Sequence, residues 1–431
     1  MTATTSLTAP GYSPPDTRMR GSSEDRIISL DLLRGIAMLA IFVTNLSGGV
    51  RAPASLLDHS AIWLKEFFVD NSFFPLFSLL FGVGFAIQLE RAEAVGARFA
   101  PRYLRRCATL LLIGTAHFTL LLYNGDILRP YAIIGITLLL FRRVRPTALL
   151  VLAGASLLIS LKWGSFERMG NWIQHSHGAA VAATAADSSN ATDPAPRRRS
   201  RLSYTERVAQ QWQASIGFAQ YRDIIYEDTD PPIIFAMFLL GFYANRRGIV
   251  RDPRAHRALL IRTLVIAGGF GVVSKFVGLA VPAIRAGDLA FSSDIRRLQW
   301  FLGLGGPMLS VGYAAAGFLI VERVGARQRL IVSLANVGRM ALTIYLLETF
   351  VILVPTRLSF GWRSHFTFAS LTGLKLILMG VFIGLAWVWM KRFAFGPVEW
   401  LLRLATYWRW APLSRGDSSK AHRTQAAATT V

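Results

Sequence analysis

The sequence predicts an all-α fold, a polytopic integral membrane helix bundle of about ten transmembrane helices. Three observations carry that prediction. The 431-residue chain is 53% hydrophobic and only 17% charged, against roughly 25% charged for soluble domains, so a water-soluble fold has too little polar surface to cover itself. Apolar runs close to the roughly 20 residues that cross a bilayer recur along the chain. The basic residues fall between those runs, the placement that sets membrane topology.

Ten runs qualify, at 27–49, 66–88, 105–123, 127–141, 146–163, 232–246, 259–282, 299–321, 331–355 and 367–390. The fourth and sixth are only about 15 residues long, and loop charge argues for keeping both. With the N-terminus in the cytoplasm, and with basic residues near the ends of a run counted with the adjoining segment, inner segments hold 27 Lys and Arg and outer segments 16, eight of the latter in one long loop. The positive-inside rule largely ignores loops of that length. Dropping either short run moves a cluster such as Arg142, Arg143 and Arg145 to the wrong side. Both termini are therefore expected in the cytoplasm.

Six segments follow. Residues 1–26 read as a disordered cytoplasmic N-terminus, 27–163 as one five-helix membrane half and 232–392 as a second. The first run contains Asp31 and Arg34 and lacks a small-residue cleavage pattern, so it reads as a retained span rather than a signal peptide. Residues 164–231 form an outer loop. Its Gly178–Pro196 stretch is Ala/Ser/Thr/Asp-rich and expected to be disordered. From Tyr204 to Tyr226, Val208, Trp212, Ile216 and Ala219 are spaced like one face of a helix. Residues 393–411 mix Trp400, Tyr407, Trp408 and Trp410 with Arg403 and Arg409, an interfacial composition. The tail 412–431 is expected to be disordered.

The net charge of +22 is spread between apolar runs rather than along one amphipathic face, so no nucleic-acid partner is expected. One cysteine, Cys107, excludes an intrachain disulfide and any multi-cysteine metal site. His175 and His177 are too thin a set for a metal site, and no metal is expected. No H-E-x-x-H, P-loop or G-x-S-x-G pattern occurs.

Ionisable side chains within hydrocarbon cost about 2.5–3.5 kcal/mol even on the mildest scale, so each asks for a partner or a role. The first span carries Asp31, Arg34 and Asn45. Arg34 and Asn45, eleven residues apart, fall on one helical stripe, with Asp31 close enough to pair with Arg34. Either Arg34 grips an anionic group such as a phosphate, or Asp31 and Arg34 form a structural clamp, or Arg34 snorkels inward. The densest cluster is GTAHFTLLLYNGDILRPYA, with His117 in the apolar run, Asp126 just past it, and Tyr131 opening the next span. A carboxylate sets the tautomer and basicity of a nearby imidazole, fitting His117 to take a proton from a hydroxyl or amine. The plainer alternative is a buried histidine bonded to a backbone carbonyl. The ninth span carries Arg339, Tyr345 and Glu348. Arg339 and Glu348, nine residues apart, lie on opposite sides of the helix and need partners elsewhere. Lys275 and Lys375 are expected to snorkel toward the interface. Gly82 and Gly84 suit close helix packing.

The stretches LDLLRGIAMLAIFVTN, FFPLFSLLFGVGF, GTAHFTLLLYNGDILRPYAIIGI, GGPMLSVGYAAAG, NVGRMALTIYLLETF and FAFGPVEWLLRLATY together resemble the YeiB-like bacterial membrane proteins, whose C-terminal half is a domain of unknown function. That family looks like a branch of the transmembrane acyltransferase group, with the OafA-like O-acyltransferases and the lysosomal heparan-alpha-glucosaminide N-acetyltransferases. The resemblance implies a bacterial inner-membrane protein that takes an acyl group from cytoplasmic acyl-CoA, as co-substrate, and passes it to a glycan, lipid or small-molecule acceptor. It carries over to Asp31, Arg34, Asn45, His117, Gly125, Asp126, Tyr131, Arg339, Tyr345, Glu399 and Trp400. His59-Ser60-Ala61-Ile62-Trp63 is similar to the histidine motif of the lysosomal enzymes.

Two functions are therefore expected. In an acyltransferase, His117 with Asp126 is the general base, and Arg34 and Arg339 hold the phosphates of CoA. Asp31, Asn45, Tyr131, Tyr345 and Glu348 complete the binding site. In a transporter or exporter of a small or amphiphilic metabolite, Arg34, Asp126 and Glu348 are substrate or proton-relay groups. Membrane lipids are partners in both.

Overall fold

The structure is a computed structural model that describes residues 18–45, 53, 55–123, 125–161, 203–216, 230–280, 303–358, 365–408, 410 and 412–414. The first 17 residues, most of the 164–231 loop, and the tail from 415 fall outside that set. So do the expectations for Gly178–Pro196, His175 and His177.

Helices dominate the described residues, whose single β-bridge pairs Phe393 with Ser414. The long helix α1 (Arg18–Thr44) starts nine residues before the predicted span and stops short of its predicted end. A capping box of Ser55 and Asp58 starts α2 (Leu56–Leu64). A wide turn, Lys65–Val69, then leads into α3 (Phe73–Ala94). Next come α4 (Phe99–Leu120), α5 (Leu128–Thr137), α6 (Pro146–Leu161) and α7 (Tyr204–Ile216). The last of these is the helix anticipated within the outer loop, tied back by the Tyr204 hydroxyl donating to the Leu120 carbonyl at 2.7 Å.

In the second half, an Asp230 cap with proline in the first turn starts α8 (Pro231–Arg246). Another wide turn, Leu264–Gly268, joins α9 (Arg257–Thr263) to α10 (Gly269–Ala280). The order continues with α11 (Gly305–Val324), α12 (Arg329–Arg339), α13 (Ala341–Leu358), α14 (Phe368–Arg392) and α15 (Pro397–Tyr407). The predicted ninth span is in fact two helices, bent by 78° at Met340.

Two helix crossings organise the bundle. A Cβ on Gly82 of α3 would collide with the Phe238 carbonyl of α8, and one on Gly241 with the Leu79 carbonyl. On α1 and α12, Gly35 stands against Leu334, and Gly338 against Asp31, at the same close range. Both pairs let backbones touch, the close approach that small residues give to helices in lipid, where no hydrophobic drive brings them together. Around them pack an aromatic core of Phe85, Tyr103, Tyr131, Phe238 and Phe242 and a second core of Leu39, Phe42, Val337, Ile344 and Phe382.

Among the described residues, four helical stretches are long and apolar enough to cross a membrane: Leu56–Ala94, Arg257–Leu279, Gly305–Val324 and Phe368–Arg392. The bent pair α12–α13 makes a fifth if it counts as one span. The outermost are the most telling. Only 22% of the apolar window of Phe368–Arg392 is buried, and Leu376, Ile377, Val381 and Val388 face outward. Water does not tolerate so continuous an apolar face, and lipid does. Of the remaining predicted spans, α4 carries Arg102, Arg105 and Arg106 near its start, while α5, α6 and α8 are short.

Candidate active site

His117 lies near the C-terminal end of α4, on the same face as Gly114 one turn earlier. Beyond α4 the chain reverses through Leu122, which adopts a left-handed conformation (φ 53°). Asp126 follows, just before α5. Its Oδ2 accepts the Arg129 backbone N–H at 3.1 Å, so the carboxylate sits at the positive end of α5. Its Oδ1 lies 2.9 Å from His117 Nδ1, and both side chains are fully buried. Gly114 makes room for this, because a Cβ there would come within 2.7 Å of Asp126 Oδ2 and 2.9 Å of Arg129 Cγ.

Two further groups converge on the pair. The Tyr345 hydroxyl accepts from the Ile127 N–H at 3.2 Å and donates to Asp126 Oδ1 at 3.4 Å. The Arg129 guanidinium, 2% exposed, places Nε 3.6 Å from Asp126 Oδ2 and stacks 3.7 Å from the Phe118 ring centroid. The rings of Tyr123 and Tyr345 flank the imidazole at 5.2 and 4.9 Å. Among the described residues His117 Nε2 has no hydrogen-bond partner. When Asp126 accepts from Nδ1–H, Nε2 is left with the lone pair, which is the arrangement of a general base.

The other polar residues form separate clusters rather than the one stripe expected from Arg34 to Asn45. Arg34 Nη1 bonds Asp31 Oδ1 at 3.0 Å, with Arg339 within electrostatic reach of Asp31 and Arg106 within reach of Arg34. Asn45 lies at the opposite end of α1, where Lys375 Nζ donates to the Val43 and Asn45 carbonyls at 2.9 and 2.6 Å. Lys375 thus satisfies carbonyls orphaned at a helix end instead of snorkelling. Lys275 does the same for Glu66 and Asp70, at 3.0 and 2.5 Å. Glu348, 2% exposed, lies within electrostatic reach of Lys375, and neither carboxyl oxygen has a hydrogen-bond partner among the described residues.

Tyr131 stands apart from the His117–Asp126 pair. Its hydroxyl is engaged with Ser78 Oγ at 2.6 Å and donates to the Phe74 carbonyl at 2.9 Å, bracing α5 against α3. His59 is exposed and, with Ser60, Trp63 and Leu64, lines an open hollow of about 430 Å³ on α2. No group of three His, Cys, Asp or Glu among the described residues is placed to hold a metal ion.

The broken helix links these clusters. Arg339, just before the bend, donates to the Ala394 carbonyl at 3.2 Å. Just after it, Glu399 Oε1 accepts the Leu342 and Thr343 N–H groups at 2.6 and 3.0 Å, and Oε2 accepts the Thr343 hydroxyl at 2.5 Å. Burial holds the Glu399 carboxyl above the usual carboxylate range, partly offset by the bonds from Thr343. Tyr345 then reaches Asp126, and Glu348 reaches toward Lys375. Arg129 joins the site without being among the residues expected there, although its position three residues after Asp126 in an otherwise apolar stretch is a usable sequence signal.

A family model described as "Protein of unknown function (DUF418)" matches residues 244–409. The chain is 31% identical over 424 residues to "Uncharacterized protein YxaH" of Bacillus subtilis, covering 91% of this chain and 97% of that one. It is 28% identical over 421 residues to "Uncharacterized protein YeiB" of Escherichia coli, covering 89% and 96%. No solved structure matches. On near-complete coverage at this identity, the chain belongs to the YeiB-like family.

Proposed function

We propose that this protein is an integral membrane acyltransferase, moving an acetyl or other acyl group from cytoplasmic acyl-CoA to a hydroxyl or amine acceptor. The observation that carries the reading is the buried His117–Asp126 pair, 2.9 Å apart, with Nε2 unengaged among the described residues. Nε2 takes the acceptor proton as the acceptor oxygen or nitrogen attacks the thioester carbonyl. The tetrahedral intermediate then collapses with cleavage of the C–S bond, and the proton passes from His117 to the departing CoA thiolate. Asp126 stabilises the imidazolium between these steps. Arg34 and Arg339, which share Asp31, supply cationic donors suited to the phosphates of CoA. With the N-terminus in the cytoplasm, as the distribution of basic residues suggests, those arginines lie toward the side where acyl-CoA is found.

The test is transfer of label from acetyl-CoA to an acceptor extract by purified protein. His117→Ala is expected to accumulate in the membrane normally and to transfer nothing, and full transfer by that variant refutes histidine catalysis. A second reading, proton-coupled export of a small metabolite, is favoured by one observation, the buried Glu348 carboxyl. Substrate uptake into vesicles without CoA, abolished by Glu348→Gln, supports export over transfer.

A further inference from the structure

Away from the His117 site, α4 and α15 meet in a patch that holds guanidinium groups and aromatic rings. Arg105 lies 5.2 Å from the ring centroid of Trp408. Arg403 lies 4.2 Å from that of Phe395 and 5.7 Å from that of Tyr407. Arg106 is within electrostatic reach of the same tyrosine, and Arg91 within reach of Arg403. Among the described residues, Nε of Arg105 and Nε of Arg106 are buried without a hydrogen-bond partner, and no carboxylate pairs with Arg105, Arg106 or Arg403. Among the described residues, this crowd of cations has no paired carboxylate.

The surroundings point to the kind of anion. One face of α15 packs inward through Leu402 and Thr406. Its other residues include Leu401, Tyr407 and Trp408, which are 48%, 42% and 77% exposed, with Trp410 just beyond at 76%. Large rings left this open beside basic side chains suit the level where headgroups meet acyl chains. A soluble phosphate would use the arginines and leave the rings in water, whereas a phospholipid uses both.

We propose that Arg105, Arg106 and Arg403, with Tyr407 and Trp408, form a binding site for the headgroup phosphate of an anionic phospholipid. The arginines contact the phosphate and the rings cover the first carbons of the chains. The site docks α15, and with it the Glu399 cap on α13, to the membrane surface.

The test is native mass spectrometry of the full-length protein from neutral detergent, titrated with phosphatidylglycerol or phosphatidylcholine, with inorganic phosphate as the soluble competitor. Phosphatidylglycerol is expected to remain bound preferentially, with phosphate at millimolar concentration failing to remove it. Arg403→Gln, at an exposed position, is expected to weaken phosphatidylglycerol about fivefold, the equivalent of about 1 kcal/mol for one basic side chain at an anionic surface. Arg105→Gln with Arg106→Gln is expected to weaken it further. Equal retention of the two lipids, unchanged affinity in Arg403→Gln, or displacement by inorganic phosphate overturns the proposal. None of these outcomes depends on acyl transfer, so the site is tested separately from the proposed activity.

Discussion

Replacing Asp126 by Asn tests the central cluster directly, because it removes one charge and nearly preserves shape. The one oxygen of Asn can still accept from the Arg129 N–H, while its NH2 takes the place of Oδ1 opposite His117 and Tyr345. What is lost is the counter-charge of the Arg129 guanidinium, 3.6 Å from the carboxylate and 2% exposed. At that separation, with an effective dielectric of about 20, the attraction is about 4–5 kcal/mol. Leaving one member of a buried pair uncompensated costs about 3–5 kcal/mol. Asp126→Asn is therefore expected to lose stability in that range, measured as SDS-driven unfolding in mixed micelles followed by circular dichroism. Adding Arg129→Met removes the buried cation as well, and the double variant is expected to recover at least half of the loss. A loss below about 1 kcal/mol in Asp126→Asn refutes the reasoning, as does a double variant no more stable than the single one.

Two further outcomes follow from individual contacts. Tyr131→Phe removes the hydroxyl shared by Ser78 and Phe74 and is expected to cost about 0.5–1.5 kcal/mol in the same unfolding assay. Because that hydroxyl is spent between α3 and α5, acyl transfer by the variant is expected to match the parent protein. The second concerns Glu206, which accepts from the Ser203 N–H and hydroxyl at 2.6 and 2.8 Å, bonds that hold its carboxyl below the usual 4.5. A depressed carboxyl pKa gives a contribution that is complete above the unfolded value and lost as pH falls through the folded one. Amide hydrogen exchange in α7 is thus expected to speed up on acidification beyond its intrinsic pH trend, and Glu206→Gln to abolish that excess.

Arg34 and Arg129 illustrate what is legible in the sequence. Arg34 announces itself, since a guanidinium three residues from Asp31 in an apolar run has an obvious local partner. Arg129 also stands three residues from an acid, but it follows a chain reversal at the very start of the predicted run 127–141. Its burial depends on Gly114, which opens a slot on a neighbouring helix. Likewise Lys275 and Lys375 look like snorkelling cations when only their own helices are considered. Their true partners are carbonyls at the ends of other elements, and no periodicity encodes those.

The sequence by itself determined that this chain is helical, apolar and membrane-suited, because composition and run length act locally and do not depend on how helices are arranged. It also marked His117 and Asp126 as neighbours, nine residues apart across one turn. Only the tertiary structure decided that Tyr345, 219 residues from Asp126, completes that cluster. It also decided that a helix expected to be continuous breaks at Met340, and that Glu399 caps the broken end. Like the backbone approaches at Gly35–Leu334 and Gly82–Phe238, those outcomes are properties of pairs of elements that neither element carries alone.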